Sequence, residues 1–155
     1  MGRFAALLLR LIVIGFGFFL AALSAGIAWI FLTRLVVPED FGQIGELELT
    51  VTLIVGTIGV SAVLARAAAI PAFLLIAVFE FTRRRDWLSH ALAGAALAIV
   101  TNAASLAAGT PMPAGGIAAA LACGMIAALV YWLVAGRTAG AWLPSARESA
   151  AIRGN

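Results

Sequence analysis

The charges of this chain sit almost entirely at the edges of long apolar runs, and that placement constrains the fold more than any motif. Leu11 to Thr33 holds 23 residues without a charge, Trp87 to Gly136 holds 50, and Leu49 to Phe79 is interrupted only by Arg66. A helix that crosses a ~30 Å hydrocarbon layer needs about 20 such residues. In lipid every backbone N–H and C=O must find its partner within the protein, so runs of this length form helices. The pattern predicts an all-α integral membrane protein with four transmembrane helices, among them a long kinked second helix. Hydrophobic residues make up 64% of the chain, against the ~45–50% of a soluble domain. The lipid bilayer is therefore its first partner.

No polar stretch is long enough to build a second core. Residues 1–136 read as a four-helix transmembrane domain and 137–155 as a cytoplasmic tail. The net charge of +3 is the balance of ten Arg, with no Lys, against seven acidic residues. These Arg flank apolar runs, with no basic stripe interleaved with aromatics, so nucleic acid is not expected as a partner. Arg-rich short loops stay in the cytoplasm. Placing Arg83, Arg84 and Arg85 inside also puts Arg3, Arg10, Arg137, Arg147 and Arg153 inside. The acidic segment Pro38 to Glu48 and the neutral Gly109 to Gly116 then lie outside. N and C termini are both expected in the cytoplasm.

The first helix is expected from about Phe4 to Val37 and the second from about Leu47 to Phe81, each longer than the layer requires. Arg3 and Arg10 before Leu11 to Leu23 resemble a signal peptide, but the apolar run continues through Phe31, which reads as an uncleaved helix. Pro71 lacks an N–H, and Gly56 and Gly59 loosen the stretch before it, so the second helix is the one to bend. An alternative makes Leu49 to Ala65 a re-entrant or fifth span. The third helix is expected at about Leu88 to Ala108 and the fourth at about Ala114 to Gly136, with the prolines and glycines of Gly109 to Gly116 forming a turn.

In an antiparallel hairpin of the first two helices, positions whose numbers sum to about 90 lie at equal depth. Arg10 is then level with Glu80, and a charge near the membrane boundary is costly unless it is paired. Arg66 is level with Ser24, about 21 Å above Glu80, and 14 positions place both near one face of the helix. It is the most expensive residue of the chain. Either it snorkels outward toward Arg34 and the acidic group Glu39, Asp40, Glu46 and Glu48, or it marks an anion or lipid-headgroup site or a salt bridge to a carboxylate of a partner helix.

Gly116, Ala120, Gly124 and Ala128 recur every four residues in the fourth helix as a smooth stripe that lets a second helix approach closely. The stripe faces either the third helix, through Ala91 and Ala95 or Gly94 and Ala98, or a partner subunit. His90 is read as an interfacial residue, without the second axial donor a haem requires. Thr101, Asn102 and Ser105 bond a neighbouring helix or mark the boundary. Tyr131, Trp132, Trp87 and Trp29 read as an aromatic belt. The single Cys123 forms no internal disulfide, and Ser24 and Ser61 are lone hydroxyls. No nucleophile with a base, no phosphate loop and no metal-ligand cluster assembles, so neither enzyme activity nor a cofactor is expected.

The segment Tyr131-Trp132-Leu133-Val134-Ala135-Gly136-Arg137-Thr138-Ala139-Gly140 resembles the Y-W-x-x-A-G-R-x-A-G ending of small four-span proteins of unknown function from alphaproteobacteria. Pro71-Ala72-Phe73 leading to Glu80 is similar to their second helix. About a third of the chain is covered. The resemblance implies a multi-pass protein of the bacterial inner (plasma) membrane and carries no activity. Surfaces without chemistry point to an accessory subunit or assembly factor that meets a membrane-protein partner through helix contacts. The alternative is a homo-oligomer, a transporter or channel in which Arg66 lines the path of an anion or other small solute.

Overall fold

The structure, a computed structural model, describes residues 3–34, 45–109 and 115–141. Four helices follow in order: α1 (Arg3–Leu32), α2 (Glu46–Thr82), α3 (Trp87–Ala107) and α4 (Gly116–Val134), then a 3-10 turn, Gly136–Thr138. No strand occurs among the described residues. α1, α2 and α4 are each long and apolar enough to cross a membrane, and α3 carries a shorter apolar stretch, Trp87–Ala103.

The helix ends follow local backbone chemistry. α1 stops at Leu32 and not at Val37, because Arg34 takes a left-handed conformation, φ 54°, that ends the ladder; residues 35–37 lie outside the described residues. α2 runs through Leu49 to Ala65 and through Pro71 as one 37-residue helix, which overturns the fifth-span alternative. Pro71 removes only the bond to the Ala67 carbonyl, and the neighbouring turns carry the ladder past it. At its end Arg83, φ 56°, is left-handed, and the Arg84 amide donates to the Phe79 carbonyl at 3.1 Å. Three residues later the Ser89 amide donates to Asp86 Oδ2 at 2.9 Å, an N-cap for α3.

Laterally the helices are ordered α2, α1, α4, α3. α4 packs against both α1 and α3, whereas α2 packs against α1 and touches α3 little. Of α2 only Ser61, Ala72 and Glu80 are buried. The core is small: Ile14, Ala21, Tyr131 and Ala135 form its one cluster among the described residues, and most other buried apolar residues are alanines. Leu11, Ile70, Leu74 and Ile99 point outward. This is the distribution lipid permits, since hydrocarbon solvates large side chains and close approach of backbones replaces the hydrophobic force between helices.

Glycines mark the closest crossings. A Cβ on Gly94 would meet the Gly124 carbonyl, and one on Gly124 would meet the Gly94 carbonyl and, at 3.1 Å, the Ala98 methyl. Ala128 lies beside Gly94 on the same line, and Gly116 and Ala120 are buried. At Gly124 and Ala128 the neighbour of the small-residue stripe is therefore α3 of the same chain. Gly17 admits Tyr131 of α4 and Ala135 just beyond it, and Gly26 admits Ser61 of α2. With the Phe18–Phe73 ring contact at 5.0 Å, these set the depth register of the α1–α2 hairpin.

Candidate functional site

Arg10 and Glu80 form an ion pair where the start of α1, the end of α2 and the segment after α4 converge. Nε of Arg10 donates to Glu80 Oε1 at 3.0 Å, and Nη2 donates to the same oxygen. Nη2 also donates to the Ala135 carbonyl at 2.9 Å, and Nη1 to Thr138 Oγ1 at 2.7 Å. The remaining carboxylate oxygen, Oε2, accepts from the Gly140 amide at 2.9 Å. Both residues are under 10% exposed. Taking two ions out of water is tolerated only when geometry is good and the leftover donors and acceptors are bonded. Here all three guanidinium nitrogens and both carboxylate oxygens are engaged. The arrangement fastens the three elements together.

The segment that completes this cage is 135–140, so residues 137–140, assigned by composition to the tail, pack as part of the bundle. Three glycine or aromatic positions explain its shape. Gly136 leaves room for His90, whose Nε2 lies 2.8 Å from where a Cβ would stand. Gly140, φ 68°, turns the chain where a Cβ would meet Arg83 and the Glu80 carbonyl. Trp132 donates from Nε1 to the Arg85 carbonyl at 2.6 Å, Arg85 Nε donates to the Ala139 carbonyl at 2.9 Å, and the Arg137 guanidinium sits 4.7 Å from the Trp132 ring centre. The α2–α3 turn and the chain after α4 are thus tied together outside the cage. Residues beyond 141, with Arg147 and Arg153, lie outside the described residues.

His90 is buried at 2% exposure and is not a surface residue of the interface. Its ring lies 4.4 Å from Phe79 and 6.3 Å from Tyr131, centre to centre. Nδ1 is 2.9 Å from the Asp86 carbonyl, and Nε2 is buried without a hydrogen-bond partner. Tyr131 is likewise buried and so stands apart from an aromatic belt; Trp87 is exposed.

Arg66 is exposed on α2, without an ion pair or hydrogen bond among the described residues. Glu80, on nearly the same face of α2, is buried. Fourteen residues at 100° each fall about 40° short of four full turns, and Glu80 is covered by α1 and the segment after α4. The Phe18–Phe73 and Gly26–Ser61 contacts bracket Arg66 along the hairpin, so it lies near the middle of α2. Glu46 and Glu48 start α2, five turns away, while Glu39 and Asp40 lie outside the described residues.

The remaining candidates turn inward on their own helices. Thr101 Oγ1 donates to the Leu97 and Ala98 carbonyls, and Asn102 Nδ2 to the Ala98 carbonyl at 2.8 Å. The Ser105 side chain lies outside the described residues. Ser24 donates to Ala21, Ser61 Oγ is buried without a partner against Gly26, and Cys123 is buried. Composition offered no sign that Thr138, Ala135 and Gly140 would serve the ion pair, because two of them act through backbone atoms. No protein-family model, curated protein or solved structure matches the chain.

Proposed function

We propose that this chain is a small polytopic accessory subunit or assembly factor of a larger complex in a bacterial inner membrane, acting through helix contacts and without catalysis of its own. In this reading both termini are cytoplasmic and α2 bends at Pro71. The observation that carries it is Arg66, exposed near the middle of α2 while Arg10 and Glu80 are buried and paired. An Arg at mid-helix costs roughly 2.5–3.5 kcal/mol on insertion scales, and a carboxylate on a neighbouring helix offsets that cost. The face around it suits such a neighbour. Ala62 and Gly59, one and two turns away, are exposed, and a Cβ on Gly59 would meet nothing within 4 Å. α2 is also the helix least covered by its own chain. The partner is then a transmembrane helix with an Asp or Glu at the depth of Arg66 and small residues in the adjoining turn.

The test is native electrophoresis of solubilised membranes that carry the tagged chain at its natural level. The wild type runs with a second polypeptide in a complex larger than itself. Arg66→Leu releases it as a folded monomer, Arg66→Lys retains it, and neutralising one carboxylate in the partner's membrane helix releases it as well. A wild-type chain that runs alone overturns the proposal. So does one that runs as a homo-oligomer, which favours an anion path between copies.

A further inference from the structure

Four arginines gather at the end of the bundle where α2 stops, and three of them are anchored to the chain around the end of α4. The Cγ of Arg83 lies against Gly140. Arg85 Nε donates to the Ala139 carbonyl at 2.9 Å, and the Arg85 carbonyl accepts from Trp132 Nε1 at 2.6 Å. The Arg137 guanidinium sits over the same indole, 4.7 Å from its centre. Arg85 and Arg137 are thus held at one indole by two hydrogen bonds and a ring contact, which keeps two like charges near each other.

Little negative charge answers them. Of the described acidic residues at this end, Glu80 is buried against Arg10 and Gly140, and Asp86 caps α3 through the Ser89 amide. Arg83, Arg84, Arg85 and Arg137 are all exposed. Arg137 makes no hydrogen bond or ion pair among the described residues, and Arg84 reaches only Ser89 Oγ, at 3.4 Å. A guanidinium over an aromatic ring keeps its edge donors, and their spacing matches two oxygens of a phosphate.

The surroundings select the molecule that carries the phosphate. Leu88, beside the exposed Trp87 on α3, and Leu133, beside Trp132 on α4, are themselves exposed. A soluble polyanion engages only the charges. A phospholipid engages the charges with its phosphate and the leucines with its acyl chains, and basic pockets between membrane helices recognise anionic headgroups in this way.

We infer that the α2–α3 turn and residues 136–140 form a binding site for one anionic phospholipid, its phosphate at Arg85 and Arg137 and its chains along Leu88 and Leu133. A zwitterionic lipid offers the same phosphate together with a cationic group that the arginines repel. The site lies about 25 Å along α2 from Arg66 at 1.5 Å per residue, and it stands whether or not a partner helix docks there.

The experiment is native mass spectrometry of the full chain in mild detergent, offered equal amounts of dioleoyl phosphatidylglycerol and dioleoyl phosphatidylcholine. The wild type is expected to retain one phosphatidylglycerol in preference to phosphatidylcholine. Arg137→Gln, at an exposed position outside the ion-pair cage, lowers that retention about fivefold, the effect of one arginine at an anionic surface. Arg34→Gln removes the same charge at the opposite end of the bundle and leaves retention unchanged. Thermal unfolding supplies a second readout: phosphatidylglycerol raises the melting temperature of the wild type and of Arg34→Gln, and much less that of Arg137→Gln. Retention of both lipids alike by the wild type, or of phosphatidylglycerol alike by the two variants, overturns the proposal. So does displacement of the lipid by an equal concentration of inorganic phosphate, which would show that the acyl chains take no part.

Discussion

The amide of Gly140 donates to Oε2 of Glu80 at 2.9 Å across 60 positions of sequence, from a left-handed backbone at φ 68°. Residue 140 thereby seals the last open oxygen of a buried carboxylate. Any other side chain would meet the Glu80 carbonyl at 2.8 Å, and an L-residue in this conformation costs about 1–2 kcal/mol. Gly140→Val is therefore expected to lower thermal stability in detergent by at least that amount. An unchanged melting curve would show that the turn does not secure the carboxylate.

The ion pair itself is tested by a double-mutant cycle. Glu80→Gln or Arg10→Gln alone leaves one charge buried without its counterion, a loss of about 3–5 kcal/mol in well-buried pairs. The double mutant is expected to lose less than the sum, by about 0.5–3 kcal/mol for groups in contact. Strictly additive losses in thermal unfolding would count against energetic coupling.

At the α3–α4 crossing, Gly94→Ala and Gly124→Leu each push a side chain into a facing carbonyl, and overpacking of this kind costs about 1–3 kcal/mol. Gly15, where a Cβ meets nothing within 4 Å, supplies the control. Gly15→Ala should be neutral or slightly stabilising, since glycine inside a helix gives up about 0.5–1 kcal/mol to alanine. Melting temperatures of the three variants decide the matter; equal behaviour would show that the crossing is not tight.

Orientation rests on Arg placement and is checked by reporter fusions. Fusions at Ile44 and Met112, both outside the described residues, are expected to report the periplasmic side, and fusions at Arg84 and Asn155 the cytoplasmic side. An external signal at Arg84 inverts the scheme.

Asp86, in the exposed turn before α3, has its pKa held below the ordinary aspartate value, chiefly by hydrogen bonding from the Ser89 side chain and then from the Ser89 amide. A depressed folded value means that the cap stabilises the protein above the unfolded value near 3.9 and loses that effect as pH falls through the folded one. Thermal stability should therefore decline on acidification through the carboxylate range, and Asp86→Asn should flatten this component while keeping the cap. An identical pH profile for the variant would remove Asp86 from the account.

What the sequence makes legible differs by the kind of signal. Run lengths and apolarity suffice for the four helices, and a hairpin centre suffices to bring Arg10 level with Glu80 and Phe18 level with Phe73. The direction of Arg66 is not readable, because α2 is apolar all round and its hydrophobicity does not say which side meets α1. The Gly26–Ser61 approach is equally hidden, since small residues are abundant and only a crossing point selects one pair. His90 reads as an interfacial residue because four loop charges, Arg83, Arg84, Arg85 and Asp86, precede it, yet α3 turns it inward against Phe79 and Tyr131.

The order in which the ribosome releases these residues gives the cage a temporal meaning. Arg10 reaches the membrane first and Glu80 much later, and even then Arg10 lacks the acceptors Ala135 and Thr138, and Glu80 lacks the Gly140 amide. Until residue 140 has been delivered, the α1–α2 hairpin carries donors and acceptors whose partners are not yet made, and lipid penalises such groups. A copy broken off within α4 keeps the Arg10–Glu80 pair but lacks the Ala135, Thr138 and Gly140 partners that complete it.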